Sequence, residues 1–308
     1  MKILLTGATG FIGVNFVLQL HSKYDIIALV RKSSNINKIK NYCKIYYYDG
    51  DIDSIEDVFK KEKIDGVVHL AALYKPVYNS NDYHNMFMAN ISLGAQILEC
   101  SRKYFINFFV NTATFSQFAN STSYNPKTLY DAMKQAFFDI LKFYAKENPD
   151  IIFTNLMLFN PYGIHETTLK IFSLWAKSVK DNESIKMIGS GKQKIDVTYV
   201  SDVVEAYDML IKMCLEKKAE SGVIYSSENK RYKIRELVDI FEQATNSKLQ
   251  IEWEKKLSNS EIIQEPISYR TSNEIIQLPN WTPKISLANG MKIVFENIVL
   301  GKNVNGKE

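Results

Sequence analysis

The feature that most constrains the fold of this chain is a set of three glycines close to its start. Residues 3–13 read Ile-Leu-Leu-Thr-Gly-Ala-Thr-Gly-Phe-Ile-Gly, so an apolar run leads into Gly7, Gly10 and Gly13. This pattern is typical of a strand that turns sharply into a helix whose N-terminus receives a phosphate. Gly7 would permit the turn, Gly10 would let a pyrophosphate approach the backbone, and Gly13 would let the helix pack on the sheet. The run predicts a dinucleotide site, although its spacing is G-x-x-G-x-x-G rather than G-x-G-x-x-G.

Charge and composition exclude several classes of partner. The 308 residues carry a net charge of +4 with dispersed lysines, which does not indicate a nucleic-acid partner. The three cysteines lie far apart without metal-site spacing, and they suit a reducing compartment. Two uncharged stretches, 3–20 and 105–126, are interrupted by polar residues, which argues against a secretory signal and a membrane span. We therefore expect a cytoplasmic protein with no metal site, no nucleic-acid partner and no membrane partner.

Strand-like and helix-like segments alternate through the first half of the chain. Candidate strands lie at 2–6, 25–30, 44–48, 65–70, 107–112 and 151–158, and candidate helices at 11–22, 53–62, 81–103 and 128–147. This alternation predicts an α/β fold, a doubly wound parallel sheet with helices on both faces.

The second half of the chain has a less regular pattern. Helices are predicted near 165–180, 201–217, 233–246 and 285–300, with strands near 185–188, 221–226 and 249–254. We expect a dinucleotide-binding domain over 1–162, to which parts of 194–226 return. A smaller α/β substrate-binding domain, mainly 163–308, should close over the carboxyl ends of the strands, where such folds bind ligands.

Acid–base chemistry is expected on the helix at 128–147, where Tyr130 and Lys134 are four residues apart and share a face. A tyrosine of pKa ~10 is a poor catalyst at neutral pH, and a nearby ammonium stabilises its phenolate. The preceding strand ends in Asn111-Thr-Ala-Thr114, so the Thr112 hydroxyl could bind the oxygen that Tyr130 protonates or deprotonates. An ordinary surface pair is the alternative, but the position downstream of the glycines favours a catalytic set.

Together these motifs resemble those of the extended short-chain dehydrogenases/reductases that modify nucleotide sugars, over essentially the whole chain. Besides the catalytic set, the matching segments are Thr6–Gly13, Asp51-Ile52, His69–Ala72, Asn90, Phe159–Gly163, Val200–Val203 and Asn280–Pro283. The resemblance implies a Rossmann fold with a bound nicotinamide dinucleotide. It assigns cofactor contacts to Gly7, Thr9, Gly10, Phe11, Ile12, Gly13, Asp51, Ile52, Leu70, Ala71, Ala72, Asn90, Tyr130 and Lys134. It also implies a homodimer, through an intermolecular bundle of the helices at 81–103 and 128–147.

Within this family, the segments 111–117, 124–126, 134–137 and 193–196 are similar to those of CDP-abequose and CDP-paratose synthases. Such enzymes reduce the 4-keto group of a CDP-linked 3,6-dideoxyhexose with NADPH. The resemblance implies substrate contacts by Thr114, Asn160, Lys170 and Arg270, with Lys170 and Arg270 at the nucleotide diphosphate. Ordinary surface charges are the alternative for those two residues, and the Thr114 hydroxyl is the alternative to that of Thr112. The chain departs from the expected pattern at Asp131, at Met133 and at Phe115-Ser116.

The loop after the second strand predicts the identity of the cofactor. It reads Val30-Arg-Lys-Ser-Ser34 and has no carboxylate for a ribose 2′-hydroxyl. Arg31 could instead pair a 2′-phosphate bidentately, which favours NADP(H). An ordinary solvated arginine is the alternative.

The residues after Thr112 discriminate between reactions. Sugar 4,6-dehydratases of this family carry Asp-Glu there, whereas this chain has Ala113-Thr114. The 3,5-epimerising reductases need a cysteine in this region, and none lies between residues 101 and 213. Ketone reduction and 4-epimerisation remain, and Arg31 favours reduction because epimerases hold NAD tightly. A redox-sensing regulator is disfavoured by the intact Tyr130 and Lys134 pair.

Overall fold

A parallel sheet of eight strands forms the centre of the computed structural model, which describes residues 1–75, 77–119, 121, 123–254 and 274–301. The strands of these residues are β1 (Lys2–Thr6), β2 (Asp25–Arg31), β3 (Lys44–Tyr48), β4 (Gly66–His69), β5 (Phe108–Thr114), β6 (Ile152–Leu158), β7 (Asn160–Tyr162), β8 (Ile185–Ile188), β9 (Lys194–Tyr199), β10 (Ile224–Ser226), β11 (Arg231–Lys233), β12 (Ile251–Glu254) and β13 (Ile275–Gln277). The order across the large sheet is β13-β10-β6-β5-β4-β1-β2-β3.

The order of the strands places the site. From β1 the chain adds β2 and β3 on one side of the sheet and then β4, β5 and β6 on the other. At such a switch point a crevice forms at the carboxyl ends of the strands. The pairings set Thr6 beside His69 and His69 beside Asn111, so the ends of β1, β4 and β5 lie together at one edge. β4 is buried along its whole length, as expected for a parallel sheet covered on both faces.

The helices of the described residues flank this sheet or form the second half of the chain. They are α1 (Phe11–Leu20), α2 (Ile52–Glu62), α3 (Ser80–Phe87), α4 (Leu93–Lys103), α5 (Leu129–Glu147), α6 (Ile171–Asp181), α7 (Val200–Leu215), α8 (Ile234–Thr245) and α9 (Leu287–Val299). None of the helices in the described part is long and apolar enough to cross a membrane. In the same residues, no group of three or more His, Cys, Asp or Glu side chains is placed to hold a metal ion.

Three apolar cores hold these layers together. One contains Phe59 of α2 and Phe137 of α5, and a second contains Phe16 of α1 and Tyr207 of α7. The large sheet contributes to both cores: Phe109 belongs to the first and Phe108 to the second, as alternation along a strand requires. The third core lies in the second half, where α6, α8 and α9 meet around aromatic rings that include Trp175.

The second half differs from its sequence pattern in several places. β7, β11 and β13 are strands of three residues, too short to show a period in the sequence. The predicted helix at 165–180 begins only at Ile171, because the carboxylate of Glu166 accepts the N–H groups of Gly163 and Lys170 and holds a loop there. In the first half, a π-helical turn at Met88–Ser92 divides the helix predicted over 81–103.

Candidate active site

The turn between β1 and α1 forms the floor of the predicted dinucleotide site. Gly7 has a φ of +67°, and a Cβ there would lie 2.7 Å from the backbone nitrogen of Ala71. A Cβ on Gly13 would lie 2.1 Å from the carbonyl oxygen of Gly7, so only glycine lets α1 approach the turn this closely. Gly10 is the N-cap, and no side chain caps the helix. The first N–H groups of α1 are therefore available to an anion.

A cleft of about 320 Å³ opens beside this turn. It is lined by seven of the predicted cofactor residues, Gly7, Thr9, Gly10, Arg31, Leu70, Ala71 and Ala72. The other lining residues are Leu29, Val30, Ser34, Tyr48, Leu73, Asn85, Met88, Ala89 and Leu93. None of the lining residues in the described part of the chain carries a carboxylate. Arg31 contributes a guanidinium to the lining, and Ser34 contributes a hydroxyl.

Other predicted cofactor residues support the cleft without lining it. Asp51 caps α2 by accepting the N–H of Asp53 at 3.4 Å, and Ile52 packs on the apolar core below that helix. Asn90 is buried, and its amide accepts the N–H of Leu73 at 2.9 Å and donates to its carbonyl at 3.0 Å. Asn90 therefore holds the loop that follows β4, whose Leu73 does line the cleft.

Two residues of the first turn of α1 also lie outside the lining. The ring of Phe11 is 4.7 Å from the ammonium of Lys170. Ile12 packs against the core between α1 and the sheet. Phe11 thus contacts Lys170 in the second half of the chain, and Ile12 anchors α1 to the sheet.

Thr6 and His69 join the ends of β1 and β4 behind the cleft. The Thr6 hydroxyl accepts the N–H of Ala71 at 3.1 Å and lies 2.8 Å from Nδ1 of His69. The His69 ring packs beside Phe109 and Phe137, with centroids 5.9 and 5.5 Å away. Burial lowers the pKa of His69 to about 3, so the ring is neutral at physiological pH. The contacts of the His69 ring with Thr6, Phe109 and Phe137 connect the end of β4 to β1 and to α5.

The structure brings the three predicted catalytic residues together at the end of β5. Thr128 caps the N-terminus of α5: its hydroxyl accepts the N–H of Asp131 at 3.2 Å, and the Asp131 carboxylate accepts the N–H of Thr128 at 2.9 Å. One turn further, the buried Lys134 ammonium donates to the carbonyl oxygen of Thr112 at 2.9 Å. The same ammonium lies 5.8 Å from the ring centroid of Tyr130.

Burial shifts the pKa values of both Tyr130 and Lys134. Burial raises the pKa of Tyr130, and the Asp131 carboxylate and the Tyr74 phenol raise it further. The Tyr74 ring stands edge-on to Tyr130 at 5.2 Å. Burial also lowers the pKa of Lys134 to about 8. The causes that raise the pKa of Tyr130 are thus burial, Asp131 and Tyr74, and the expected effect of Lys134 on that pKa stays a prediction.

The hydroxyls of Thr112 and Thr114 belong to separate networks. Thr112 donates to the carbonyl of His69 at 3.0 Å, and its Oγ1 lies 2.7 Å from the Tyr207 hydroxyl. The Thr114 hydroxyl oxygen lies 3.0 Å from that of Ser116, and the Ser116 hydroxyl donates to the Asp131 carboxylate.

Tyr207 was not among the predicted site residues. It is 95 residues from Thr112 in sequence, and its buried position on α7 gives no local signal.

The predicted substrate residues make backbone contacts in the structure. The Asn160 amide donates to the carbonyl of Asp196 at 2.8 Å. The Lys170 ammonium donates to the carbonyl of Pro161 at 2.7 Å, and burial lowers the pKa of Lys170. Arg270 lies outside the described residues.

Known proteins are similar to this chain over nearly its whole length. It is 28% identical over 293 residues to the CDP-abequose synthase of Salmonella muenchen, across 94% of this chain and 96% of that protein. A UDP-glucose 4-epimerase structure shares the fold with a TM-score of 0.84 and 21% identity, covering 100% of both chains. The UDP-glucose 4-epimerase of Thermus thermophilus in complex with NAD gives a TM-score of 0.80 at 20% identity, covering 97% of this chain and 99% of that one.

These likenesses confirm the predicted Rossmann-type α/β fold. Residues 3–225 match the model of the family described as NAD dependent epimerase/dehydratase. This range contains the glycine turn, the cleft and the predicted catalytic residues Thr112, Tyr130 and Lys134. The chain therefore belongs to the NAD dependent epimerase/dehydratase family.

Proposed function

We propose that this protein is an NADPH-dependent reductase of a 4-keto sugar carried on a nucleotide diphosphate, with a CDP-linked deoxysugar as substrate. The observation that carries the proposal is the meeting of Tyr130, Lys134 and Thr112 at the end of β5, at the edge of the sheet where the glycine turn lies. The similarity to CDP-abequose synthase, which extends over nearly all of both chains, supports the CDP sugar.

The residues present fit a dinucleotide. The turn at Gly7 and Gly13 leaves no room for a Cβ, and the uncapped first turn of α1 suits a pyrophosphate. Lys134 would hold the ribose of the nicotinamide half, as the family resemblance implies. When bound, NADPH supplies the hydride that reduces the carbonyl carbon.

The protein supplies the proton and binds the oxygen. Tyr130 donates its phenolic proton to the carbonyl oxygen, and the Thr112 hydroxyl binds the negative charge that develops there. Burial and Asp131 raise the pKa of Tyr130, which keeps the phenol protonated at neutral pH. A protonated phenol suits a reductase, because the reaction begins with Tyr130 as a proton donor.

The rim of the cleft supports NADPH over NADH. Arg31 ends β2, and its carbonyl accepts the N–H of Ser34 at 2.9 Å, so both residues border one turn. Both also line the cleft, whose lining residues in the described chain include no carboxylate. A guanidinium and a hydroxyl suit a 2′-phosphate, whereas NAD-selective sites use a carboxylate for the ribose hydroxyl.

A nucleotide-sugar 4-epimerase is the second candidate. The observation that favours it is the fold similarity to two UDP-glucose 4-epimerases, one of them in complex with NAD. The same three residues would serve, since oxidation followed by reduction uses the same acid–base group. Tyr130 would then act first as a base and afterwards as an acid.

Turnover with defined nucleotide sugars tests the proposal. The protein is mixed with NADPH and a CDP-linked 4-keto-3,6-dideoxyhexose, and loss of nicotinamide absorbance is compared with product formed. One NADPH should be consumed for each sugar reduced. Tyr130→Phe should lower kcat at least ~100-fold. Tyr144→Phe is the matched control, because Tyr144 lies on the same helix and donates to Glu99 at 2.9 Å; this variant should retain activity.

Two outcomes would reject the proposal. Epimerisation of a nucleotide sugar with NAD and no net consumption of NADPH would establish the second candidate. Unchanged turnover in Tyr130→Phe would exclude Tyr130 as the proton donor.

We also propose a homodimer formed by the helices at 81–103 and 128–147, which the structure resolves into α3, α4 and α5. Tyr83 and Phe87 of α3 and Phe143 of α5 are large apolar side chains that are exposed in the single chain. Burial of such residues between copies is typical of a helical interface. The division of the chain near residue 162 and the substrate contacts of Thr114, Asn160, Lys170 and Arg270 stay predictions.

A further inference from the structure

We propose that Tyr207 is a positioning residue that orients the Thr112 hydroxyl toward the substrate oxygen. It acts from α7, whose core lies on the other face of the sheet from that of α5. The inference rests on the proposed function in one respect, namely that Thr112 binds the oxygen to which Tyr130 gives its proton.

The hydrogen bonds of Thr112 determine which hydroxyl donates. Its single proton goes to the carbonyl oxygen of His69 at 3.0 Å, because a carbonyl can only accept. The Tyr207 hydroxyl, 2.7 Å from Oγ1 of Thr112, must therefore donate to Thr112. This contact occupies one of the two lone pairs of Thr112, and within the described part of the chain no group uses the other.

Tyr207 is held firmly in this position. Its side chain has no exposed surface, and its ring meets that of Phe16 edge-on, with centroids 6.3 Å apart. Thr112, in contrast, is partly exposed at the end of β5. The carbonyl of Thr112 accepts from Lys134 at 2.9 Å, which fixes the main chain as well. Thr112 is thus held from two sides. Tyr207 of α7 contacts its side chain, and Lys134 of α5 contacts its backbone.

This arrangement restricts where the Thr112 proton can point. A hydroxyl has three staggered directions for its proton and lone pairs, and Tyr207 occupies one of them with its own proton. The proton of Thr112 can then point to His69 or in the third direction, where no hydrogen-bond partner lies among the described residues. A substrate oxygen arriving there would draw the proton away from His69.

Tyr207 also strengthens the donor. A hydroxyl that accepts a hydrogen bond becomes a better donor, because linked hydrogen bonds polarise one another. No proton leaves Tyr207 or Thr112 in this scheme, and the proton added to the substrate comes from Tyr130. Tyr207 therefore acts only through Thr112.

A double-mutant cycle with a matched control tests the proposal. Tyr207→Phe should lower kcat about tenfold and leave KM within about twofold, because the lost contact matters when charge develops on the oxygen. The same change in a Thr112→Ala background should have no further effect on kcat, since the group through which Tyr207 acts is gone. Tyr24→Phe is the control, because the buried Tyr24 donates to Asp208 on the same helix at 2.6 Å. It should lower the melting temperature without changing kcat.

Each outcome bears on the proposal. Equal losses of kcat for Tyr207→Phe in the wild-type and Thr112→Ala backgrounds would overturn it, as would an unchanged kcat in Tyr207→Phe. The assay uses whichever nucleotide sugar the wild-type protein reduces or epimerises, so the second candidate function leaves the test intact. A wild-type protein that turns over no nucleotide sugar would refute the proposed function. The melting temperatures of the wild type, the two single variants and the double variant would then test the Tyr207–Thr112 contact. If the loss in the double variant equals the sum of the two single losses, the contact is overturned; a smaller loss supports it.

Discussion

Replacing Lys134 by methionine should make the folded protein more stable at neutral pH while removing its activity. The Lys134 ammonium is almost completely buried, and burial lowers its pKa from the ordinary 10.5 to about 8. At about 1.4 kcal/mol per pH unit, holding this charge costs about 3 kcal/mol at pH 7 relative to the unfolded chain. Methionine fills a similar volume without the charge. The lost hydrogen bond to the Thr112 carbonyl offsets about 1 kcal/mol, which leaves a net gain of about 2 kcal/mol.

The pH dependence of this gain has a definite sign. Between pH 8 and 10.5 the unfolded chain takes up a proton at this lysine that the folded protein does not hold. The stability of the wild-type protein at this site therefore rises with pH, and the advantage of Lys134→Met shrinks through that range. Urea unfolding of both proteins at several pH values from 7 to 10, followed by circular dichroism, measures the difference.

Lys212→Met supplies a control of opposite sign. Lys212 is exposed on α7 and pairs with Asp208 at 2.9 Å, an ion pair that raises its pKa. Lys212→Met should be slightly less stable than the wild type, and this difference in the free energy of unfolding should not change between pH 7 and 10. The reasoning fails if Lys134→Met is less stable than the wild type at pH 7, or if its advantage does not change with pH.

Three other regions give predictions. Gly13→Ala should lower the melting temperature by at least ~3 °C and abolish cofactor binding, because its Cβ would stand 2.1 Å from the Gly7 carbonyl. Gly10→Ala, whose Cβ would stand 3.3 Å from that oxygen, should lose cofactor affinity in calorimetry while keeping its melting temperature. Equal losses of melting temperature in both variants would contradict a packing role for Gly13 and a cofactor role for Gly10. Arg31→Ala should raise KM for NADPH at least ~tenfold and that for NADH less than twofold, and equal changes for both cofactors would disprove a 2′-phosphate contact. Phe143→Glu, at an exposed position of α5, should give a monomer by light scattering with an unchanged circular dichroism spectrum, whereas an unchanged dimer mass would exclude this face.

The parts of the fold that could be predicted are those with strong local signals. β4 was expected at 65–70 and is found at Gly66–His69, because a short apolar run buried on both faces is recognisable by itself. The glycine turn was recognisable because Gly7 and Gly13 stand where any other residue would collide with backbone. The pairing of Tyr130 with Lys134 follows from helix geometry, since residues four apart share a face.

The remaining parts depend on contacts between distant residues. The π-helical turn at Met88–Ser92 carries neither proline nor glycine, and it places Asn90 against the backbone of Leu73. The family resemblance assigns Asn90 to the cofactor, and in the structure its amide holds the loop of Leu73, which lines the cleft. The effect of Asp131 on Tyr130 depends on burial, which a spacing rule does not contain. Tyr207 reaches Thr112 only because α7 packs beneath β5.

The contact between the β1 turn and the loop after β4 has a kinetic consequence. Gly7 lies against Ala71, and the Thr6 hydroxyl accepts the N–H of the same residue at 3.1 Å. The two sides of the floor are thus already joined, and a dinucleotide does not have to bring them together. Its association should follow a single phase whose rate increases linearly with concentration, as for a rigid receptor. Differences in affinity between NADPH and NADH should then appear in how long each stays bound.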